Sequence, residues 1–323
     1  MSQFYYLNDE ILGSCHLAVG EKNTALFDPG MAWYGEKTVE KIKEIIGDRP
    51  IDAVFLTHSH YDHVGALPVI KKYWPDAMVF GAAYAGHVLS KLSAKRLIHE
   101  LSASAAQLND TVLPDDYSTR GIQLDQMLIG GETINVGDVC VQSIKTVGHT
   151  KDCLSYLIDG HDLLASETIG SINTEEDYMP QFLVSCEEAM KSIGSCRNSG
   201  AKKLWLTHYG EVGETTPELW QWFEDGLTAA KSRILEIIRD NETPEEQLKA
   251  MEAVFWRPEK KGGWPQKAFD LKFVQQKTEN SHAAGRHCHK AVRVNPSRVT
   301  AVIDPLIFDS MLQKFCNFGH ACH

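Results

Sequence analysis

The sequence predicts an α/β fold, and three observations support that prediction. Short apolar runs typical of buried strands alternate with segments whose apolar residues have helical spacing, most clearly over residues 36–80. Turn signals such as Asp28-Pro29-Gly30 end several of these runs. Potential metal ligands follow four of the predicted strands. The ends of those strands are therefore expected to meet at one functional site.

The elements of the N-terminal part are predicted from periodicity and turn chemistry. Val39, Ile42 and Ile46 have the spacing of one helix face, and Gly47 ends that helix. The predicted elements are, in order, a β-meander over 4–30, a helix over 36–46, a strand over 51–56, a helix over 67–74 and a strand over 77–80.

The length and composition of the chain are those of a globular protein. Of its 323 residues, 43% are hydrophobic and 23% are charged, so it can bury a large core in one large domain or two smaller ones. The formal net charge of −11 leaves no basic surplus to neutralise phosphates. We therefore expect no nucleic-acid partner.

Several features predict a cytoplasmic protein. The first ten residues contain neither a basic segment nor a long apolar stretch, so we expect no signal peptide. No sequence window approaches the roughly 18 apolar residues of a membrane span, and we expect no membrane partner. The eight cysteines are scattered along the chain, which is typical of reduced thiols.

The densest polar motif of the chain directly follows a short apolar run. It reads Thr57-His58-Ser59-His60-Tyr61-Asp62-His63. Imidazole nitrogens and carboxylate oxygens bind borderline divalent metals. Because alternate residues of an extended loop point the same way, we expect His58 and His60 to bind one ion. Asp62 and His63 begin the following helix and are predicted to face a second ion.

The spacing His58-x-His60-x-Asp62-His63 resembles the HxHxDH signature of the metallo-β-lactamase-fold superfamily. This resemblance extends over roughly residues 4–210. It implies a four-layer αββα sandwich with a binuclear metal site at one edge. Helices are also predicted after that region, over residues 217–240 and 243–255. They are similar to the trailing helices of glyoxalase-II-like and thioesterase-like members. The predicted architecture is therefore this sandwich with a helical C-terminal extension.

The resemblance implies two further histidine ligands, each placed after a predicted strand. Gly148-His149-Thr150 matches the third histidine motif of the superfamily, so His149 is expected to complete the first metal site. Thr207-His208-Tyr209-Gly210 matches the last one, so His208 is expected to join Asp62 and His63 at the second site.

Two carboxylates are assigned by the same resemblance. Glu167 stands where the superfamily usually has an aspartate that bridges both metals. Because glutamate is longer by one C–C bond, about 1.5 Å, the identity of the metals is left open. Asp28 ends an early strand and is predicted to hold a ligand histidine by its free N–H. The alternative is an aspartate that only opens a turn.

Three residues are predicted to line the substrate pocket. A helical stretch over 82–109 lies where superfamily members build one pocket wall, and it contains Tyr84 and His87. Tyr209 follows a predicted ligand directly, and it either points into the pocket or caps its strand.

The domain prediction divides the chain near residue 240. Residues 1–240 are expected to form the catalytic domain. Residues 241–323 are expected to form a partly helical extension that packs on the core. Histidines and cysteines of this extension match no zinc-finger spacing. We interpret them as chance enrichment or as part of a tail lying over the core, and a separate zinc site stays open.

The full ligand set predicts a binuclear metallohydrolase. Two divalent ions a few ångströms apart lower the pKa of a shared water, so that hydroxide is available as a nucleophile near neutral pH. Asp62 is the predicted catalytic residue, because it can bind metal and orient that hydroxide. We expect a small-molecule substrate with an ester-like bond, namely an acyl thioester, a lactone or a small ester. Zinc is the first expectation for both ions, with iron or manganese as alternatives.

Two other functions are left open by the sequence. Glu167 resembles the arrangement in a di-iron β-hydroxylase of the superfamily, so an oxygen-using di-iron enzyme on the same fold is one alternative. The other is a regulatory protein that retains the metal site and acts by binding a partner. A homodimer is also left open.

Overall fold

Two six-stranded sheets form the centre of the fold, which a computed structural model describes for residues 1–11, 13–174 and 177–255. The first sheet has the same order in space as in the chain: β1 (Gln3–Tyr6), β2 (His16–Val19), β3 (Thr24–Phe27), β4 (Ala53–Phe55), β5 (Met78–Ala82) and β6 (Gln126–Leu128). The first three strands are antiparallel, and β3 to β6 are parallel. The carboxyl ends of β3, β4 and β5 therefore lie at one edge of the sheet.

The second sheet contains six strands, and a small hairpin interrupts it in sequence. The strands in chain order are β7 (Thr133–Val136), β8 (Val139–Lys145), β9 (Leu154–Ile158), β10 (Asp162–Ala165), the hairpin strands β11 (Ser171–Thr174) and β12 (Asp177–Met179), β13 (Lys203–Leu206) and β14 (Gly210–Glu214). The spatial order of the sheet is β14-β13-β10-β9-β8-β7. Because β10 and β13 are parallel, the loops after them leave the sheet at the same edge.

Helices cover the outer faces of both sheets. The helices are α1 (Gly35–Ile46), α2 (Tyr61–Val64), α3 (Leu67–Tyr73), α4 (Ala83–Leu89), α5 (Leu92–Leu108), α6 (Cys186–Arg197), α7 (Pro217–Asp240) and α8 (Pro244–Phe255). Side chains of Ser185 and Thr216 cap the first turns of α6 and α7. Thr243 and Glu246 form a reciprocal capping box at the start of α8.

Three apolar clusters separate the four layers. One lies between the two sheets, where the rings of Phe27, Phe55, Phe80 and Tyr156 pack with neighbouring centroids 4.8–5.6 Å apart. A second lies between the first sheet and α1, α3 and α5, and a third lies between the second sheet and α6, α7 and α8. The predicted four-layer αββα sandwich is therefore confirmed.

Several elements differ from the sequence predictions. The predicted helical stretch after β5 is broken at Ser90 and Lys91 into α4 and α5. The prediction omitted α6, because the residues that it buries are mostly small: Cys186, Ala189, Ser192, Ile193 and Cys196. It also omitted β6, β14 and the hairpin strands. In β14 the sequence Gly-Glu-Val-Gly-Glu has too few apolar residues to signal a strand.

The beginning of the predicted C-terminal extension packs on the core. In α8, Met251 and Phe255 are buried in the cluster that also contains Phe223 and Leu227 of α7. The histidines and cysteines of the tail lie beyond residue 255, outside the described residues, so the domain division stays a prediction. Over residues 1–11, 13–174 and 177–255, no helix combines the length and the apolar character that crossing a membrane requires.

Candidate metal centre

Loops from both sheets bring the seven predicted ligands together at one edge of the sandwich. They follow β4, β8, β10 and β13 in the chain. The ligand atoms form two groups, each with all its members within 4.8 Å of one another: His58, His60, His149 and Glu167 in the first, and Asp62, His63, Glu167 and His208 in the second. Glu167 belongs to both groups.

The first group is built from three histidines. Nε2 of His149 lies 3.0 Å from Nδ1 of His60 and 2.7 Å from Oε2 of Glu167. Nε2 of His58 lies 4.0 Å from the same Glu167 oxygen. His58 and His149 are almost fully buried.

The second group combines two histidines with two carboxylates. Nε2 of His208 lies 3.1 Å from Nε2 of His63 and 2.6 Å from Oε1 of Glu167. Oδ2 of Asp62 lies 3.6 Å from Nε2 of His208 and 3.8 Å from Nε2 of His63. The two oxygens of Glu167 therefore face different groups, with Oε2 toward the first and Oε1 toward the second.

The donor geometry fits divalent metal ions. Ligands about 2.0–2.1 Å from one ion stand roughly 2.9–3.4 Å apart at octahedral or tetrahedral angles, and the two histidine pairs are separated by 3.0 and 3.1 Å. Nε2 of His58 is buried without a hydrogen-bond partner in the described part of the chain. A buried polar atom without a partner is costly, and a bound ion would satisfy it. The nitrogen and oxygen donors suit zinc, iron or manganese.

The two groups differ in their electrostatics. Burial lowers the pKa of His58 well below its ordinary value and, with the nearby His149, lowers that of His60 to about 4. Burial also acts to lower the pKa of His63, but the carboxylates of Asp28 and Asp62 outweigh it and raise that pKa. The imidazoles of His58 and His60 are therefore neutral and ready to bind metal, whereas His63 must lose a proton to do so.

Glu167 is strongly ionised by the same surroundings. Burial acts to raise its pKa, but His149 and His208 outweigh this effect and hold the pKa well below its ordinary value. In return, Glu167 outweighs the effect of burial on His208 and raises the pKa of that imidazole. A carboxylate that stays charged while buried is the form required of a metal ligand.

Asp28 orients His63 of the second group through the ring nitrogen that faces away from the other ligands. Its Oδ2 lies 2.8 Å from Nδ1 of His63, so that Nδ1–H donates and Nε2 is left free to bind metal. Thr57 and Ser14 donate to the same carboxylate from their hydroxyls, and the backbone N–H of Thr57 donates to Oδ1. Asp28 adopts a positive φ of 51°, a conformation that aspartate tolerates.

The histidines of the first group are oriented by main-chain and hydroxyl oxygens. Nδ1 of His149 donates to the carbonyl oxygen of Gln181, which leaves Nε2 facing the group. The Thr57 hydroxyl lies 3.1 Å from Nδ1 of His58. Since that hydroxyl already donates to Asp28, the imidazole is the donor here and its Nε2 is free.

Three hydrogen bonds join the histidine loop of the first sheet to the start of β9 in the second. Tyr156 donates from its hydroxyl to the carbonyl oxygen of Leu56, and Leu154 donates from its backbone to Thr57. The buried carboxylate of Asp152 accepts from the backbone N–H of Ser59 at 3.0 Å. The sequence prediction missed Asp152, whose only signal was a carboxylate three residues after His149.

A further buried histidine lies between the sheets. His16 stacks between Phe4 and Tyr6, with centroid distances of 5.6 and 4.9 Å, and neither of its ring nitrogens has a hydrogen-bond partner among the described residues. Burial, assisted by His208 and His63, lowers its pKa to about 3. His16 is therefore a neutral core residue near neutral pH.

The predicted pocket residues have different environments. Tyr84 and His87 are exposed on α4, with ring centroids 6.0 Å apart. Tyr209 is half-buried and packs against the apolar cluster between the second sheet and α6 and α7. The ammonium of Lys151, which lies in the loop that carries His149, is 6.0 Å from the ring centroid of Tyr84.

Comparison with known proteins identifies relatives of this architecture. The profile of the metallo-beta-lactamase superfamily matches residues 8–166. The probable metallo-hydrolase YqgX of Bacillus subtilis is 27% identical over 161 residues, 48% of this chain and 65% of that protein. A hydroxyacylglutathione hydrolase of Xanthomonas axonopodis is 29% identical over 120 residues, 37% of this chain and 33% of that protein. The chain thus spans between a third and two-thirds of these relatives.

Solved structures show the same fold. The metallo-beta-lactamase family protein TTHA1429 of Thermus thermophilus superposes with a TM-score of 0.60 at 16% identity, covering 87% of this chain and 94% of the other. At that identity the likeness concerns the fold alone. The sequence profile, the relatives and the shared fold lead to one conclusion: residues 8–166 of the chain belong to the metallo-beta-lactamase superfamily.

Proposed function

We propose that this protein is a hydrolase that uses two divalent metal ions to cleave an ester-like bond in a small molecule. The observation that carries the proposal is the pair of ligand groups that share Glu167. Each group offers four donors, and each receives a separate oxygen of the shared carboxylate. Such an arrangement can hold two ions side by side.

The chain divides the catalytic work among its own residues. When bound by these residues, two divalent ions would supply a water of lowered pKa and would polarise the carbonyl oxygen of the substrate. Asp62 is nearly buried and directs one oxygen toward His63 and His208. From this position it can orient the attacking water and accept its proton. Asp28 and Gln181 keep the ligand histidines in the tautomer that leaves Nε2 free.

A small ester-like substrate is favoured over a nucleic acid. The net charge of −11 opposes the binding of a polyanion. A hydroxyacylglutathione hydrolase is among the relatives of the chain. Acyl thioesters, lactones and small esters share the electrophilic carbonyl that a two-metal site can activate.

The proposal is tested with metal-reconstituted protein and a panel of thioesters, lactones and aryl esters. We expect turnover of at least one class and its loss in the His60→Ala and Asp62→Ala variants. His99→Ala is the matched control, because His99 is an exposed histidine on α5 and belongs to neither ligand group. Absence of turnover across the panel, or turnover that survives both site variants, would contradict the proposal.

An oxygen-using di-iron enzyme is the second candidate. The observation that favours it is the pair of carboxylates in the second ligand group, since carboxylate-rich sites suit iron. Metal analysis of protein produced without added metal, combined with an absorption spectrum under oxygen, separates the candidates. Zinc without oxygen-dependent absorption would exclude the redox function.

A further inference from the structure

The first turn of α4 lies at the same edge of the sandwich as the metal centre. Strands β4 and β5 are parallel neighbours, with Phe55 opposite Phe80, so their carboxyl ends share one edge. The loop with His58 follows β4, and α4 follows β5 directly. Tyr84 is the second residue of α4 and leaves 43% of its surface exposed. An exposed aromatic ring thus lies at the sheet edge that carries the histidine loop.

A lysine from the second sheet reaches this ring. Lys151 lies two residues after His149, and its Nζ is 6.0 Å from the centroid of Tyr84. The pair therefore joins α4, which follows β5 of the first sheet, to the loop between β8 and β9 of the second sheet, at the edge that carries the metal centre. We call Tyr84 and Lys151 the rim pair.

The ammonium of Lys151 has no carboxylate partner within 4.0 Å in the part of the chain that the structure describes. Other exposed lysines do have such partners, for example Lys191 with Glu187 and Glu188. An ammonium has three N–H donors, and contact with a ring face leaves donors free for an anion. Lys151 is therefore a cation without a carboxylate partner among the described residues, in a chain with a net charge of −11.

We propose that the rim pair is a subsite for an anionic substituent of the substrate. The preferred substrates are then esters or thioesters with a carboxylate or a phosphate several bonds from the scissile carbonyl. The Lys151 ammonium binds the anion, while the Tyr84 ring packs against the aliphatic part that connects the anion to the ester. This inference rests on the proposed hydrolase function and adds the charge of its substrate.

The kinetic test compares substrates that differ by one charge. Propionyl and succinyl thioesters of N-acetylcysteamine differ by a terminal carboxylate, and a phosphorylated pantetheine thioester replaces the carboxylate by a phosphate on the leaving thiol. We expect the ratio of kcat/KM, anionic over neutral, to fall roughly two- to fivefold in Lys151→Gln. Lys151→Arg should keep most of the preference, and Lys151→Glu should invert it. The substrate whose kcat/KM ratio depends on Lys151 shows which anion, the carboxylate or the phosphate, the subsite binds.

The chain offers a matched control for these variants. Lys43 lies 4.3 Å from the ring centroid of Tyr73, so it forms a similar lysine–tyrosine pair. That pair joins the last turns of α1 and α3, and the segment after α1 leads into the start of β4, at the edge opposite the metal centre. Lys43→Gln is therefore expected to keep the wild-type ratio.

A binding measurement separates failure of the subsite from failure of the hydrolase. Calorimetry compares a non-hydrolysable thioether that carries the carboxylate with its neutral amide, on metal-loaded wild type and Lys151→Gln. Tighter binding of the carboxylate that depends on Lys151 supports the subsite even if no thioester is turned over. Equal binding of the carboxylate and the amide to the wild type would overturn the subsite. Turnover in which the preference for the anionic substrate does not depend on Lys151 would also overturn it. Absence of turnover contradicts only the hydrolase function.

Discussion

Glu167→Asp is the substitution that tests the shared ligand most sharply. The carboxylate of Glu167 reaches Nε2 of His149 at 2.7 Å with one oxygen and Nε2 of His208 at 2.6 Å with the other. Removing one methylene withdraws the carboxylate by about 1.5 Å, whereas metal–ligand distances tolerate deviations of only about 0.2 Å. On a fixed backbone the aspartate cannot serve both groups.

The expected result is the loss of one ion, although aspartate is the residue more usual at this position in the superfamily. Metal analysis after dialysis against buffered free zinc should show about one ion per chain instead of two. Chelator competition should show at least a ~100-fold weaker affinity for the ion that is lost. Glu167→Gln keeps the length of the side chain and removes its charge, so it shows how much of the metal affinity depends on the charge alone. Two ions bound with wild-type affinity in Glu167→Asp would refute the role assigned to the length of the side chain.

Three other substitutions test the surroundings of the site. Asp28→Ala should weaken metal binding by the second group about 10- to 100-fold, because His63 loses the acceptor for its Nδ1–H; chelator competition measures this, and unchanged affinity would contradict it. Asp152→Ala should lower the free energy of unfolding by about 1–3 kcal/mol, because the backbone N–H of Ser59 loses its partner; urea denaturation measures this, and a change below about 0.5 kcal/mol would count against it. His16 has a folded-state pKa lowered from 6.5 to about 3, so the stability that it contributes is present above pH 6.5 and is lost as the pH falls toward 3. Between pH 7 and pH 4 the free energy of unfolding of the wild type should fall by about 3 kcal/mol through this group. His16→Phe keeps the aromatic stack and should not show that fall in urea denaturation of chelator-treated protein. An equal fall in both proteins would contradict this role of His16.

Local sequence patterns predict much of the fold and the positions of the metal ligands. The histidine loop is readable because His58 to His63 lie within six residues directly after a buried strand. His149 and His208 are readable because each follows a strand in a short glycine-containing motif. The position of Asp28 at the end of β3 indicated its place behind a ligand. These features depend on neighbours in the chain, which a sequence displays directly.

The features that sequence analysis missed depend on contacts between distant segments. Asp152 acts on Ser59, 93 residues away, and no local pattern connects these positions. The rim pair joins residues that are 67 positions apart and belong to different sheets. The division of the two Glu167 oxygens between the groups depends on where β10 places its backbone. The sequence prediction missed helix α6 because the residues on its buried face are mostly small, so its apolar periodicity is weak.

A crystal structure of the metal-loaded protein, with anomalous maps recorded at the absorption edge of the metal, tests the central claim most directly. We predict two anomalous peaks, one among His58, His60 and His149 and the other among Asp62, His63 and His208. Each peak should lie within about 2.0–2.2 Å of a different oxygen of Glu167. A single peak, or two peaks with Glu167 bound to neither or to only one, would contradict a binuclear centre built on this shared carboxylate.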